Sequence, residues 1–164
     1  MIEILEKYLG ESFLDEDGNQ LSIEKSQAIS ISDLQKFEMR HNVTLPQDLR
    51  ELILWSSGIK IFGAEIQALD EMEFYEDHRL MTFHSWGNGD VDCISVDQGS
   101  HYGTVYFVNH SAANSVSMNI AFGEWIFLAI DEIRHKGAIL HPMDYLFRNE
   151  EGMYKEVFLK LKMQ

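Results

Sequence analysis

Residues 32–69 constrain the fold more than any other stretch, because several element boundaries are marked there in a consistent order. Ser32 and Gln35 have the spacing of a capping box, in which side chains satisfy the free N–H groups at a helix start. Asn42 suits the left-handed residue that ends a helix. The pattern therefore predicts a first helix that begins at Ser32 and ends at Asn42.

A second helix follows directly. Pro46 suits a first helical turn, where its missing N–H costs nothing, and Gly58 is typical of a helix end. The apolar residues between them recur at helical spacing and predict one buried stripe: Leu49, Leu52, Ile53 and Trp55. Residues 59–69 then predict one extended strand.

The remaining chain predicts an antiparallel sheet with further helices. Asp17-Gly18 and residues 87–90 are typical of hairpin turns, since these residue types tolerate positive φ angles. Strands are expected over residues 81–86, 91–96, 104–108 and 118–122, with residues 109–117 as a loop. Helices are expected over residues 1–9, over residues 124–136 with Gly137 as the end, and over residues 154–162. The predicted fold class is α+β: a mainly antiparallel sheet of about five or six strands with helices packed on it.

Length and composition place the chain among globular proteins. Its 164 residues, 45% of them hydrophobic, predict a single domain over residues 1–164. No apolar run is long enough to cross a bilayer, and the acidic start predicts no secretory signal, so we expect a cytoplasmic protein without a membrane partner. The single cysteine, Cys93, excludes an internal disulfide and is expected in the core.

The negative charge is concentrated in the middle of the chain. The formal net charge is −14, and residues 61–133 hold twelve acids and one base, Arg79. Such a field repels nucleic acid and speeds encounters with basic proteins. Solubility alone is the simpler explanation of the same charge. The sequence therefore disfavours a nucleic-acid partner and favours a basic protein.

Sequence signals for chemistry are weak. Ser56-Ser57-Gly58 lacks the glycine that precedes the serine of a nucleophile elbow, and no zinc or phosphate-loop spacing occurs. We expect no catalytic residue, metal or cofactor. One alternative stays open: His84, Asp90 and Asp92 belong to one predicted hairpin, and as an enzyme or ligand site they would have to converge in a pocket.

Protein recognition is the function class that remains. Acidic residues interleaved with aromatic ones are typical of interfaces in which aromatics anchor and charges steer. The predicted partner-binding residues, all from the acidic middle, are Glu71, Glu73, Glu76, Asp77, Trp86, Asp90 and Asp92.

Four blocks of the chain resemble the SMI1/KNR4 (SUKH) superfamily. They are the helix pair with LP-D-R and IFG over residues 34–63, Gly89-Asp90, GTVYFVNH over residues 103–110, and FGEW over residues 122–125. Ser57 departs from the family pattern, which often has Asn before the glycine that ends the helix. The resemblance implies the SMI1/KNR4 architecture and a non-enzymatic bacterial immunity protein that neutralises a toxin domain. A regulatory scaffold without a toxin partner is the alternative role within the superfamily.

Overall fold

The computed structural model describes residues 1–15, 17–76, 79–111, 114–137 and 141–142. The predicted site residue Asp77 and the helix predicted over residues 154–162 lie outside these ranges. The described helices are α1 (Ile2–Tyr8), α2 (Ile31–His41), α3 (Gln47–Trp55) and α4 (Phe122–Lys136). The described strands are β1 (Ser12–Leu14), β2 (Gln20–Lys25), β3 (Ile59–Ile61), β4 (Ala64–Ile66), β5 (Phe74–Tyr75), β6 (Leu80–Ser85), β7 (Val91–Ser95), β8 (Thr104–Asn109) and β9 (Asn114–Ala121).

The strands form one antiparallel sheet in the order β1-β2-β3-β4-β6-β7-β8-β9, and β5 pairs with β6 beyond the end of β4. The α+β class is confirmed. The expected five or six strands were too few, because the described chain contains nine. The additional strands are short or lie in segments whose composition does not favour strands.

The two faces of the sheet are packed differently. The four helices of the described ranges pack on one face, over a core that includes Leu5, Leu34, Leu52, Phe83 and Trp125. The other face carries a smaller cluster of Leu80, Val91, Cys93 and Val108, against which Tyr75 and Tyr106 pack. Cys93 is therefore a core residue, as expected, and burial raises the pKa of its thiol.

The start of α2 lies slightly earlier than the sequence indicates. Ser30 is the residue before the helix, and its hydroxyl accepts a hydrogen bond from the Asp33 backbone N–H at 3.1 Å. The capping box expected at Ser32 is wrong, since Ser32 already lies inside the helix. The end was predicted correctly, because Asn42 has a left-handed φ of 53°.

Replacing Ser30 by alanine should lower the free energy of unfolding by about 1 kcal/mol, because a helix start then loses the acceptor for one free N–H group. Ser32→Ala is the matched control. Ser32 makes no described cap, so this variant should stay within about 0.5 kcal/mol of the unaltered protein. Urea unfolding of both variants measures the difference. Equal losses of unfolding free energy in the two variants would contradict the assignment of Ser30 as the residue that caps α2.

Residues 59–69 form two strands rather than one. Phe62 and Gly63 make a tight turn between β3 and β4, and both have positive φ, 51° and 96°. Turn rules reserve such positions for Asn, Asp and Gly, so a phenylalanine there does not predict a turn. Burial accounts for the exception: Phe62 is 2% exposed and packs on Phe13, with ring centroids 4.8 Å apart.

The last strand also differs from the expectation. Residues 109–117 were predicted as a loop because they are polar, yet β9 begins at Asn114 and continues to Ala121. Among the described strands it pairs with β8 alone, at one end of the strand order, and strands at a sheet edge tolerate polar residues. Asn119 has a φ of 53°, next to a shift in the β8–β9 register.

Candidate functional site

Exposed glutamates mark the segment between β4 and β6. Glu71, Glu73 and Glu76 are all exposed, as predicted for partner-binding residues. The Glu71 carboxylate accepts a hydrogen bond from the Ala68 N–H at 3.0 Å and closes the turn after β4. The Glu73 N–H donates to the Thr82 hydroxyl at 2.8 Å, which fixes the backbone at the start of β5. The backbone that carries these carboxylates is therefore held against the sheet.

Little positive charge compensates this segment. Arg79 lies 3.2 Å from Glu76, which also accepts a hydrogen bond from the Ser115 hydroxyl. Among the described residues, Asp70, Glu71 and Glu73 make no ion pair. We call residues 70–76 the acidic segment, and three of its carboxylates are exposed without an ion pair to a described residue.

Trp86 and Asp90 lie beyond the last residue of β6, and Asp92 pairs with His84 near that end, whereas Tyr75 and Glu76 of the acidic segment lie at its start. Tyr75 pairs with Leu80 at the start of β6, whereas Trp86 follows its last residue, Ser85. Five strand steps separate the two ends by about 17 Å. The predicted site residues therefore do not form one cluster, and the structure divides them into two groups.

Asp90 and Asp92 are not surface carboxylates, which corrects the expectation that they present charge to a partner. Asp90 is 2% exposed and Asp92 is fully buried. Hairpin position alone favours exposure, but Trp125 of α4 lies against Asp92, and His110 and His141 lie against Asp90. Neither carboxylate meets a partner unless the fold opens.

Asp90 organises the turn between β6 and β7. Its carboxylate accepts hydrogen bonds from the His110 backbone N–H at 2.9 Å and from the Asn88 amide at 3.1 Å. It also lies 2.7 Å from the His110 ring and 3.2 Å from the His141 ring. Burial opposes ionisation, but the hydrogen bonds from His110 and Asn88 outweigh it, so the pKa of Asp90 lies below its usual value. Asp90 is a structural anion.

Asp92 has the opposite electrostatic character. Its burial raises the pKa of the carboxyl to about 8, although the indole N–H groups of Trp86 and Trp125 favour the ionised form. The Trp125 indole N–H donates to Asp92 Oδ2 at 3.1 Å. The other oxygen, Oδ1, is buried without a hydrogen bond of good geometry. At neutral pH the Asp92 side chain is therefore mostly a neutral carboxylic acid, buried between the sheet and α4.

The alternative of a His84, Asp90 and Asp92 ligand site finds no support in this arrangement. His84 Nδ1 lies 2.8 Å from the Glu65 carbonyl oxygen, and burial lowers the pKa of its ring. A groove does reach His84, but neither aspartate is among its described lining residues. Within the described ranges, no group of three or more His, Cys, Asp or Glu side chains is placed to hold a metal ion.

Sequence reasoning missed two features of this region. One is the groove beside His84 and Trp86, because its walls come from the β1–β2 hairpin, the β3–β4 turn and the end of α4 as well. The other is His141, whose ring lies 4.7 Å from that of Trp86. No local sequence signal predicts contacts between segments so far apart. In the part of the chain that the structure describes, no helix is both long and apolar enough to span a bilayer.

The family model of the SMI1 / KNR4 family (SUKH-1) matches residues 28–128, which is more than half of the chain. The chain belongs to this family. No curated protein matches it. The SUKH-1 match begins just before α2 and ends within α4, so it contains the helix pair, the acidic segment and the Trp86–Asp92 hairpin.

Proposed function

We propose that this SUKH-1 domain is a bacterial immunity protein that binds and neutralises a toxin domain, without catalysing a reaction of its own. The observation that carries the proposal is the uncompensated charge of the acidic segment, where Asp70, Glu71 and Glu73 are exposed and make no ion pair with any described residue. Family membership supports a protein-binding role, because the superfamily resemblance implies immunity proteins.

The charge favours a basic partner. Toxin domains that cleave nucleic acid carry basic surfaces, since they neutralise phosphates. Carboxylates fixed on a folded surface would take the positions that the phosphates occupy beside such basic residues. They would thereby block access of the nucleic acid. The proposed mechanism is therefore occlusion, with encounters accelerated by charge. The proposal places this encounter in the cytoplasm, where a nuclease would find its substrate.

Growth rescue tests the function directly. A basic nuclease toxin domain, taken from the neighbouring gene where that gene encodes one, is expressed from an inducible promoter, with and without the full 164-residue chain. We expect restored growth with this chain and none with an unrelated acidic protein of similar net charge. Loss of growth in both strains, with both proteins present at equal levels, would refute neutralisation of that toxin.

A further inference from the structure

A groove of about 350 Å³ lies between four elements on the side of Trp86. It is bounded by the β1–β2 hairpin, the β3–β4 turn, the end of β6 and the last turn of α4. Its apolar walls are Leu21, Phe62, Ala64 and Ile133. This volume is at the lower end of that of small-molecule sites, and it suits a single long side chain.

The first charged group in the groove is Asp15. Its carboxylate accepts hydrogen bonds from the Asn19 backbone N–H at 2.7 Å, from the Asn19 side-chain amide at 2.9 Å and from the Asp17 N–H at 3.0 Å. These bonds, led by the Asn19 side chain, hold the pKa of Asp15 below its usual value. A carboxylate that is held in position and whose ionised form is favoured therefore lines one wall.

The end of α4 adds negative potential. Gly137, which lines the groove, ends the helix with a left-handed φ of 78°. The last carbonyl groups of a helix carry partial negative charge and favour a cation. Arg134, in the same turn, is engaged elsewhere: it lies 3.3 Å from Glu11 and its guanidinium lies 4.5 Å from the centre of the Tyr8 ring.

The aromatic wall completes the site. Trp86 is half-buried and lines the groove beside His84, with their ring centroids 4.8 Å apart. Since burial lowers the pKa of His84, its ring adds no positive charge at neutral pH. None of the described lining residues is basic. Apolar walls, a carboxylate, helix carbonyls and an indole ring together are complementary to a cation with an extended apolar stem.

We propose that this groove receives an arginine side chain of the partner protein, with its methylene groups on the apolar walls and its guanidinium between Asp15 and Trp86. Arginine fits better than lysine, because a planar guanidinium both stacks on an indole and pairs with a carboxylate. This inference rests on the proposed function and adds an anchor to it, at the end of β6 opposite to Tyr75 and Glu76 of the acidic segment that attracts the partner.

A short peptide tests the site without the partner. The probe is acetyl-Gly-Arg-Gly-amide, titrated into the full, isotope-labelled chain while two-dimensional NMR follows the Trp86 indole and the Gly63 and Gly137 amides. We expect these signals to shift and saturate together at millimolar peptide. The same peptide with citrulline, which keeps the shape of arginine but is neutral, should shift them far less. Equal shifts with citrulline, or shifts spread over the acidic segment instead, would overturn the proposal.

Charge removal supplies a matched comparison. Asp15→Asn keeps one oxygen for the Asp17 and Asn19 backbone N–H groups but loses the hydrogen bond from the Asn19 side-chain amide, and it should weaken binding of the arginine peptide by up to about fivefold. Asp33→Asn removes a carboxylate at the start of α2 that accepts hydrogen bonds from Ser30 and Lys36 and lies outside the groove. It should leave the dissociation constant unchanged. Equal weakening by both variants would show general attraction to negative charge and contradict a specific site.

The proposed arginine site and the proposed immunity function can be contradicted by different results. Ala64→Leu enlarges a side chain in the apolar wall and so narrows the groove. It should reduce growth rescue, provided that the variant unfolds at the same urea concentration as the unaltered chain. Full rescue by a folded Ala64→Leu protein would show that the groove is not part of the interface, and the proposed function would stand. Peptide binding without growth rescue by the unaltered chain would support the arginine site and contradict neutralisation of the tested toxin.

Discussion

Asp92→Asn should unfold at a higher denaturant concentration than the unaltered protein at pH 8, and this gain should decrease steadily as the pH is lowered to about 4. The reason is the raised pKa of the buried carboxyl, about 8 against about 3.8 when it is unburied. Between these values the folded protein holds a proton that the unfolded chain releases. Stability that depends on this group is therefore present in full below about pH 4 and is lost as the pH rises towards 8.

Asparagine removes this titration while keeping a side-chain oxygen for the Trp125 indole. Each pKa unit corresponds to about 1.4 kcal/mol, so the change in relative stability across this pH range should amount to a few kcal/mol. The amide can add a constant penalty for an unpaired buried donor, which does not vary with pH. Urea unfolding at pH 4, 6 and 8 measures the slope. A difference that does not change with pH would contradict a proton held by Asp92.

Asp90→Asn is the control for this result, and its pH dependence should have the opposite sign. The pKa of Asp90 is lowered by its hydrogen bonds, so its ionised form stabilises the fold above the unfolded pKa. The variant should lose stability at neutral pH, and the loss should shrink as the pH falls through the folded pKa. The two variants thus distinguish Asp92, a buried acid that is neutral, from Asp90, a buried acid that is ionised.

The helix pair could be predicted from sequence because its determinants are local. Asn42 ends α2, Asp48 lies in the first turn of α3, and Leu49, Leu52 and Ile53 are buried at helical spacing. The β3–β4 turn could not, because Phe62 adopts its positive φ only with the support of a core that includes Phe13. Local rules describe the cost of that conformation but not the burial that offsets it.

The candidate site could be predicted only in part, for a related reason. Exposure of Glu71, Glu73 and Glu76 follows from a charged run between strands, which is normally solvated. Burial of Asp90 and Asp92 depends on Trp125 and His110, which are distant in sequence and reach the hairpin only through the fold. The Trp86 groove likewise needs four separate segments. Sequence alone identified the charge but not the tertiary contacts that divide the predicted residues into two groups.

Replacing both Asp70 and Glu73 by lysine should slow association with the toxin domain identified by growth rescue by tenfold or more at low salt. Their side chains make no described hydrogen bond or ion pair, so the change of four charge units leaves the packing of the fold unchanged. Stopped-flow association at several salt concentrations measures the effect. The rates of the two proteins should converge near 1 M salt, where the Debye length falls to about 3 Å.

Glu3→Lys combined with Glu24→Lys is the matched control, because it makes the same change in net charge at exposed positions outside the acidic segment. If the acidic segment faces the partner, this variant should slow association much less than the Asp70 and Glu73 variant does, while dissociation stays similar in both. Equal slowing would mean that overall charge, rather than residues 70–76, governs the encounter. Steering by a defined surface requires the rate to depend on where the charge lies.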